Sequence, residues 1–188
     1  MVWCALGCAW PIPATEGMAL GAQLRRVWLL APVLPLALLA SRAQAEAFGR
    51  WQERPRRCAI EQSPAGPLPC QSIQIDQRNP QVLRLSAQAR AAEPGEQIQL
   101  TLVGALDQAS EPMACRSGGC ALRQPMQLQL ISLSLTRFDA RGLALTLPST
   151  WPVSGSCRIE PAAITCDAST DGTARVDAIH WSLKAELR

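Results

Sequence analysis

Between Ser72 and Leu187 several runs place apolar side chains at every second position, with polar ones between them. SIQID (Ser72–Asp76) sets Ile73 and Ile75 on one side, and QVLRLSA (Gln81–Ala87) does the same with Leu83 and Leu85. QIQLTLVGAL (Gln97–Leu106) alternates Ile98, Leu100 and Leu102 with Gln97, Gln99 and Thr101. A strand turns successive side chains to opposite faces, so this period describes strands with one buried face. Asn79-Pro80, Glu93-Pro94-Gly95 and the Glu111-Pro112 region are turn signals that separate them.

The run MQLQLISLSLTRF (Met126–Phe138) changes phase. Met126, Leu128 and Leu130 share one parity, whereas Ile131, Leu133 and Leu135 share the other. One strand with a β-bulge at Leu130-Ile131 restores a single apolar face, and a break into two strands is the alternative. GLALTLP follows with Leu143, Leu145 and Leu147 in alternation, and Pro148 and Pro152 around Trp151 are expected to end regular pairing. In the C-terminal VDAIHWSLKAELR, strand spacing sends Ile179, Trp181, Leu183, Ala185 and Leu187 inward. It accounts for more positions than the helical stripe of Val176, Ile179, Leu183 and Leu187. The expected fold is all-β, an antiparallel sandwich or barrel-like sheet.

The start of the chain has a different character. Arg25 and Arg26 precede a 14-residue apolar run, Val27–Ala40, and Ala43-Gln44-Ala45 supplies small residues for cleavage between Ala45 and Glu46. This is the order of a secretory signal peptide, and the run is short of the ~20 residues that span a bilayer. Met18 offers a start that gives a signal of ordinary length. LRRVWLL matches a twin-arginine signal only weakly. Residues 1–45 are therefore read as a leader with a signal helix, 46–71 as an extended Pro/Arg-rich arm, and 72–188 as the β-rich domain.

Of eight cysteines, Cys4 and Cys8 fall in the leader. The other six are Cys58, Cys70, Cys115, Cys120, Cys157 and Cys166, an even number in an exported chain, which implies a disulfide framework. Spacing favours the sequential pairs Cys58–Cys70, Cys115–Cys120 and Cys157–Cys166. The segment CRSGGC (Cys115–Cys120) admits other readings. A zinc site uses closer spacings in two clusters, and a redox pair reads C-x-x-C. An anion nest on Ser-Gly-Gly competes with glycines present only for positive φ. The disulfide staple fits best, and no metal or cofactor is implied.

Removing Arg25, Arg26, Arg42 and Glu16 with the leader takes the net charge from +3 to +1. A chain so near neutral has no bulk attraction for nucleic acid. Its local exception is RWQERPRR, with Arg50, Arg54, Arg56 and Arg57, which reads as a solvated arm or as a contact for an acidic partner or anionic lipid. The outward strand positions carry Gln71, Gln74, Gln97, Gln99, Gln127 and Gln129, polar without charge. They form either a solvated sheet face or a face that meets another protein or polysaccharide through amides. Uncharged edges also favour self-association through sheet edges.

Catalytic sets are thin. His180 is the one histidine, expected on an outward strand position. Asp76, Asp107, Asp139, Asp167, Asp171 and Asp177 are scattered, and DASTDGT (Asp167–Thr173) lacks the ligand pattern of a calcium loop. The sequence thus points to a secreted or periplasmic, disulfide-stabilised β-domain that is not an enzyme. It would bind an envelope protein or act as a surface structural component, touching membrane only through an uncleaved leader. The alternative is a carrier of a lipid or other apolar ligand, suggested by leucine-rich strands. A hydrolase whose carboxylates meet only in three dimensions is the third reading.

Overall fold

The computed structural model describes residues 48–64, 66–171 and 178–188. The leader with its Ala45–Glu46 junction, Cys4, Cys8 and Met18 lies outside the described residues, as do Asp177 and part of the DASTDGT turn.

All regular structure in the described residues is strand. Twelve strands follow in order: β1 (Gly49–Glu53), β2 (Arg57–Gln62), β3 (Leu68–Asn79), β4 (Val82–Arg90), β5 (Gln97–Leu106), β6 (Ala114–Arg116), β7 (Gly119–Ala121), β8 (Met126–Phe138), β9 (Ser149–Pro152), β10 (Ser154–Ile159), β11 (Ala163–Ser169) and β12 (His180–Glu186). Eight of them close on themselves as an antiparallel barrel, β2-β12-β11-β10-β8-β5-β4-β3, with β2 pairing back to β3. Of the two architectures expected, the barrel is the one present. Closure removes the open edges a sandwich of these strands would leave.

β3 and β8 are longer than the barrel wall requires, and each spends its surplus on a second neighbour. β3 pairs with β2 at Leu68 and Pro69 and with β1 from Ile73 to Gln77. β8 pairs with β10 from Met126 to Gln129 and with β9 from Ser132 to Leu135. The segment 46–71, expected as an extended arm, instead contributes β1 and β2, and Ile60 is fully buried. Its alternation is too short to stand out in sequence, but Cys58 bonds to Cys70 on β3 and fixes β2 in the wall.

The interior is filled largely by residues the alternation selected, joined by Ile60 of β2, Ile159 of β10 and Ile164 of β11. Ile60, Ile73, Ile75, Leu83, Leu85, Leu100, Leu128, Leu133, Ile159, Ile164 and Leu183 are all fully buried. An eight-stranded barrel has an interior about wide enough for side chains to fill. The phase slip in β8 is a bulge: register steps from Val103↔Ser132 to Gly104↔Leu130, leaving Ile131 without a partner on β5. Leu130 and Leu133 thereby both face the core, and Ile131 is exposed. At the C-terminus Trp181, Leu183, Ala185 and Leu187 are buried as the strand spacing requires.

Two expectations fail around residue 148. Pro148 and Pro152 do not end pairing, because β9 forms between them against β8. GLALTLP forms no strand beyond an isolated bridge at Ala144, and Leu143, Leu145 and Leu147 are all exposed. The cause is position. The segment runs back beside Phe138 and Arg137, along the half of β8 that β10 does not reach, and its leucines stay exposed there.

Candidate functional site

The outer surface of the six strands β1, β3, β4, β5, β8 and β9 carries polar residues in registered rows. One row is Gln52, Gln74, Ser86, Thr101, Ser134 and Thr150, each opposite the next across adjacent strands. A second is Ser72, Gln88, Gln99 and Thr136. At ~4.8 Å between strands and ~6.8 Å between rows, the two form a lattice of amides and hydroxyls without a formal charge.

The lattice is held by its own hydrogen bonds. Ser72 Oγ donates to Gln88 Oε1 at 3.0 Å, and Gln99 Nε2 donates to Thr101 Oγ1 at 3.2 Å. Ser86 Oγ and Thr101 Oγ1 lie 3.3 Å apart, both buried although they point outward. Side chains held in this way lose less freedom when a ligand arrives.

Charge enters at the margin, in the adjoining row Arg50, Asp76 and Arg84. Asp76 is buried to 8% exposure. Its Oδ1 accepts from Arg50 Nε at 2.8 Å and its Oδ2 accepts from Gln74 Nε2 at 2.8 Å. Burial pushes the Asp76 carboxyl upward. The bonds from Arg50 and Gln74 and the charges of Arg50 and Arg78 outweigh it, holding the group below its ordinary value. Two arginines, Arg50 and Arg78, thus act on one ionised carboxylate, and Arg84 stands opposite it on β4. A surface cleft of about 590 Å³ opens beside them, lined by Phe48, Gly49, Arg50, Asp76, Gln77, Arg78, Ser117 and Gly118.

The CRSGGC segment builds one wall of this cleft. It is a two-residue hairpin between β6 and β7, with Ser117 at φ 51° and Gly118 at φ 77°. Positive φ at both central residues belongs to the tight turn that matches strand twist. Cys115 and Cys120 bond directly across it, with Cα atoms 4.0 Å apart, so neither is a free thiolate. The hairpin supports β1: Arg50 N donates to Gly118 O at 2.8 Å. Gly49 permits this approach, because a Cβ there would lie 2.6 Å from Cys120 Sγ and 2.9 Å from Gly118 O. From inside the barrel Gln77 ties the same corner. Its Oε1 accepts from Met113 N at 2.8 Å, and its Nε2 donates to Met113 O at 3.3 Å.

The remaining candidates separate. Gln74 and Gln99 belong to the lattice, and Gln97 lies exposed at the start of β5. Gln71 is the extra residue of a β3 irregularity, its amide oxygen accepting from Arg90. Gln127 and Gln129 lie at the other end of β8, beyond the bulge, opposite Arg158 and Ser156 of β10. Asp139 caps its own loop: Oδ1 accepts from Arg141 N and Leu143 N, and these bonds, that of Leu143 foremost, hold its carboxyl low. His180 Nε2 lies 3.7 Å from Asp167 Oδ1, both exposed. The pairs Cys58–Cys70 and Cys157–Cys166 are formed as the spacing suggested. Sequence reasoning missed Gln52, Gln88, Ser86 and the Arg50–Asp76 pair, since the sequence does not show that β1 docks on β3. No family model, no curated protein and no solved structure matches the chain.

Proposed function

We propose that this protein is an exported, non-enzymatic binding domain whose ligand is a hydroxyl-rich polymer lying on the amide–hydroxyl lattice. The observation that carries the reading is the pair of registered rows, polar, uncharged and already hydrogen-bonded to one another. Each hydrogen bond exchanged with water contributes only about 0.5–1.5 kcal/mol. A lattice of such groups therefore suits a repeating ligand that engages many of them, and a polysaccharide offers that chemistry. Export is supported by the leader pattern and by three disulfides, which persist in oxidising compartments.

The test is binding of polysaccharides to immobilised protein with Gln52, Gln88 and Thr150, all exposed, changed together to alanine. Loss of binding by that variant, and retention by a Gln127→Ala, Gln129→Ala variant at the far end of β8, outside both rows, is the expected result. Equal behaviour of the two variants would sink the reading. Carriage of an apolar ligand has one observation in its favour, the exposed Leu143, Leu145 and Leu147 with Ile131. The strands expected to line a lipid groove instead turn their leucines into a filled core.

A further inference from the structure

We propose that the cleft beside Arg50 seats the carboxylate or sulfate group of an acidic polysaccharide whose uncharged hydroxyls continue along the lattice. The inference rests on the polymer-binding reading and names the ligand class within it. Three features of the cleft converge on an anion next to a sugar ring. First, Asp76 takes only the Nε of Arg50, so the guanidinium is oriented while its two terminal nitrogens have no hydrogen-bond partner among the described residues. A guanidinium fixed in this way presents the fork that binds carboxylate and sulfate oxygens in pairs. Second, Arg78 is exposed, makes no hydrogen bond among the described residues and lines the same cleft. Two cations, Arg50 and Arg78, stand against one anion at the cleft, so its charged lining carries a net charge of +1. Third, Phe48 lines the cleft at 61% exposure, an apolar ring beside the charged groups.

Continuity with the lattice favours a polysaccharide over an acidic peptide. Gln74 donates to Asp76 and also stands in the row that runs to Thr150, so the anion site and the hydroxyl lattice share a residue. A ligand spanning both needs an anionic group at one place and neutral hydroxyls for several strands beyond it. Polyglutamate has charge at every residue and no hydroxyls to offer.

The experiment titrates the full chain with sparsely carboxymethylated dextran, sparsely sulfated dextran, uncharged dextran and polyglutamate by calorimetry at low ionic strength. The expected result is that one of the acidic polysaccharides binds about tenfold or more tighter than dextran, a difference of about 1.4 kcal/mol. Whichever of the two binds tighter identifies the anionic group as carboxylate or sulfate. Arg78→Ala and Phe48→Ala, both at exposed positions, should each weaken that binding and leave dextran binding unchanged. Arg158→Ala, on the other side of the barrel, should leave both unchanged. If dextran binds as tightly as the acidic polymers, the anion site is overturned and the lattice reading stands. Polyglutamate binding as tightly as the acidic dextrans overturns the polysaccharide assignment. An equal loss with Arg158→Ala overturns the site in favour of bulk attraction. Failure of every polymer to bind removes both proposals.

Discussion

The two sides of the barrel treat charge in opposite ways. On β2, β12, β11 and β10 the outward positions include Glu61, Lys184, Asp167 and Arg158, and ion pairs form locally: Arg158 with Glu160 and Arg57 with Glu186. On β1, β3, β4, β5, β8 and β9 the two lattice rows hold no charge; Arg90 stands at one flank, and at the other the buried Asp76 meets Arg50 with Arg78 nearby. Locally cancelled charge gives a soluble surface with no preferred partner. A neutral field with one unbalanced corner has direction, because it tells a ligand where to begin. The lesson is that outward polarity is not one category. Gln127 and Gln129 belong to the first kind of surface and Gln74 and Gln99 to the second, although all four read alike in sequence.

The largest expected effect comes from breaking the seam that joins the two sides. Cys58 on β2 bonds to Cys70 on β3, where the barrel closes through only the pairs Ala59↔Pro69 and Ile60↔Leu68. A cross-link around a loop of this size contributes about 3 kcal/mol by chain entropy. Replacing both cysteines by serine should lower the denaturant-derived stability by roughly that amount. Hydrogen exchange should speed first in β2 and the start of β3. Exchange that quickens uniformly would mean the seam is not the weak line.

Next comes the acid limb of stability. The folded carboxyl of Asp76 lies below its ordinary value, so its contribution is complete above the unfolded value and is lost as pH falls through the folded one. Asp76→Asn should cost about 1–3 kcal/mol at neutral pH, the scale of hydrogen bonds to a charged group, and should flatten the fall in stability below about pH 4. The paired variant Asp139→Asn removes a carboxyl that is also held low, but by the bonds of an exposed loop, and should flatten the acid limb less than Asp76→Asn does. If the two variants change the curve equally, the corner at Asp76 is not specially built.

A smaller effect is expected at Trp181, on the charged side. Its indole N–H is buried without a partner among the described residues. An unpaired buried donor costs about 1–3 kcal/mol, which Trp181→Phe would recover while losing packing volume of similar worth. Urea denaturation should therefore place that variant within about 1 kcal/mol of the parent, whereas an ordinary buried tryptophan loses more.

Much of the barrel was legible because a closed antiparallel sheet writes its inner face as period two. Residues 97–106 and 126–138 correspond to β5 and β8, and the parity change at Ile131 marked the bulge. Period two does not say where a wall ends, so Leu143, Leu145 and Leu147 read like core and are exposed. The candidate site was less legible, because its parts are distant in the chain. Arg50 and Asp76 stand 26 residues apart, and only the docking of β1 on β3 joins them. CRSGGC announced a staple, but its use as the wall behind Gly49 and Arg50 required the β1–β7 contact.

The smallest effect tests the charged side on its own terms. Arg57 and Glu186 approach to 2.7 Å, yet their side chains are 79% and 52% exposed. Such a pair gains little in high dielectric, loses side-chain entropy on forming and is screened by salt. Arg57→Ala, Glu186→Ala and the double variant, compared as a cycle in urea, should give a coupling of about 0.5 kcal/mol or less that vanishes at high salt. The same cycle on Arg50 and Asp76 should give a larger coupling that salt weakens less, since Asp76 is buried and Gln74 holds its second oxygen. Equal couplings would erase the distinction between a surface that cancels charge and one that organises it. A clear excess at Arg50–Asp76 would show that the guanidinium facing the cleft is held in place before any ligand arrives.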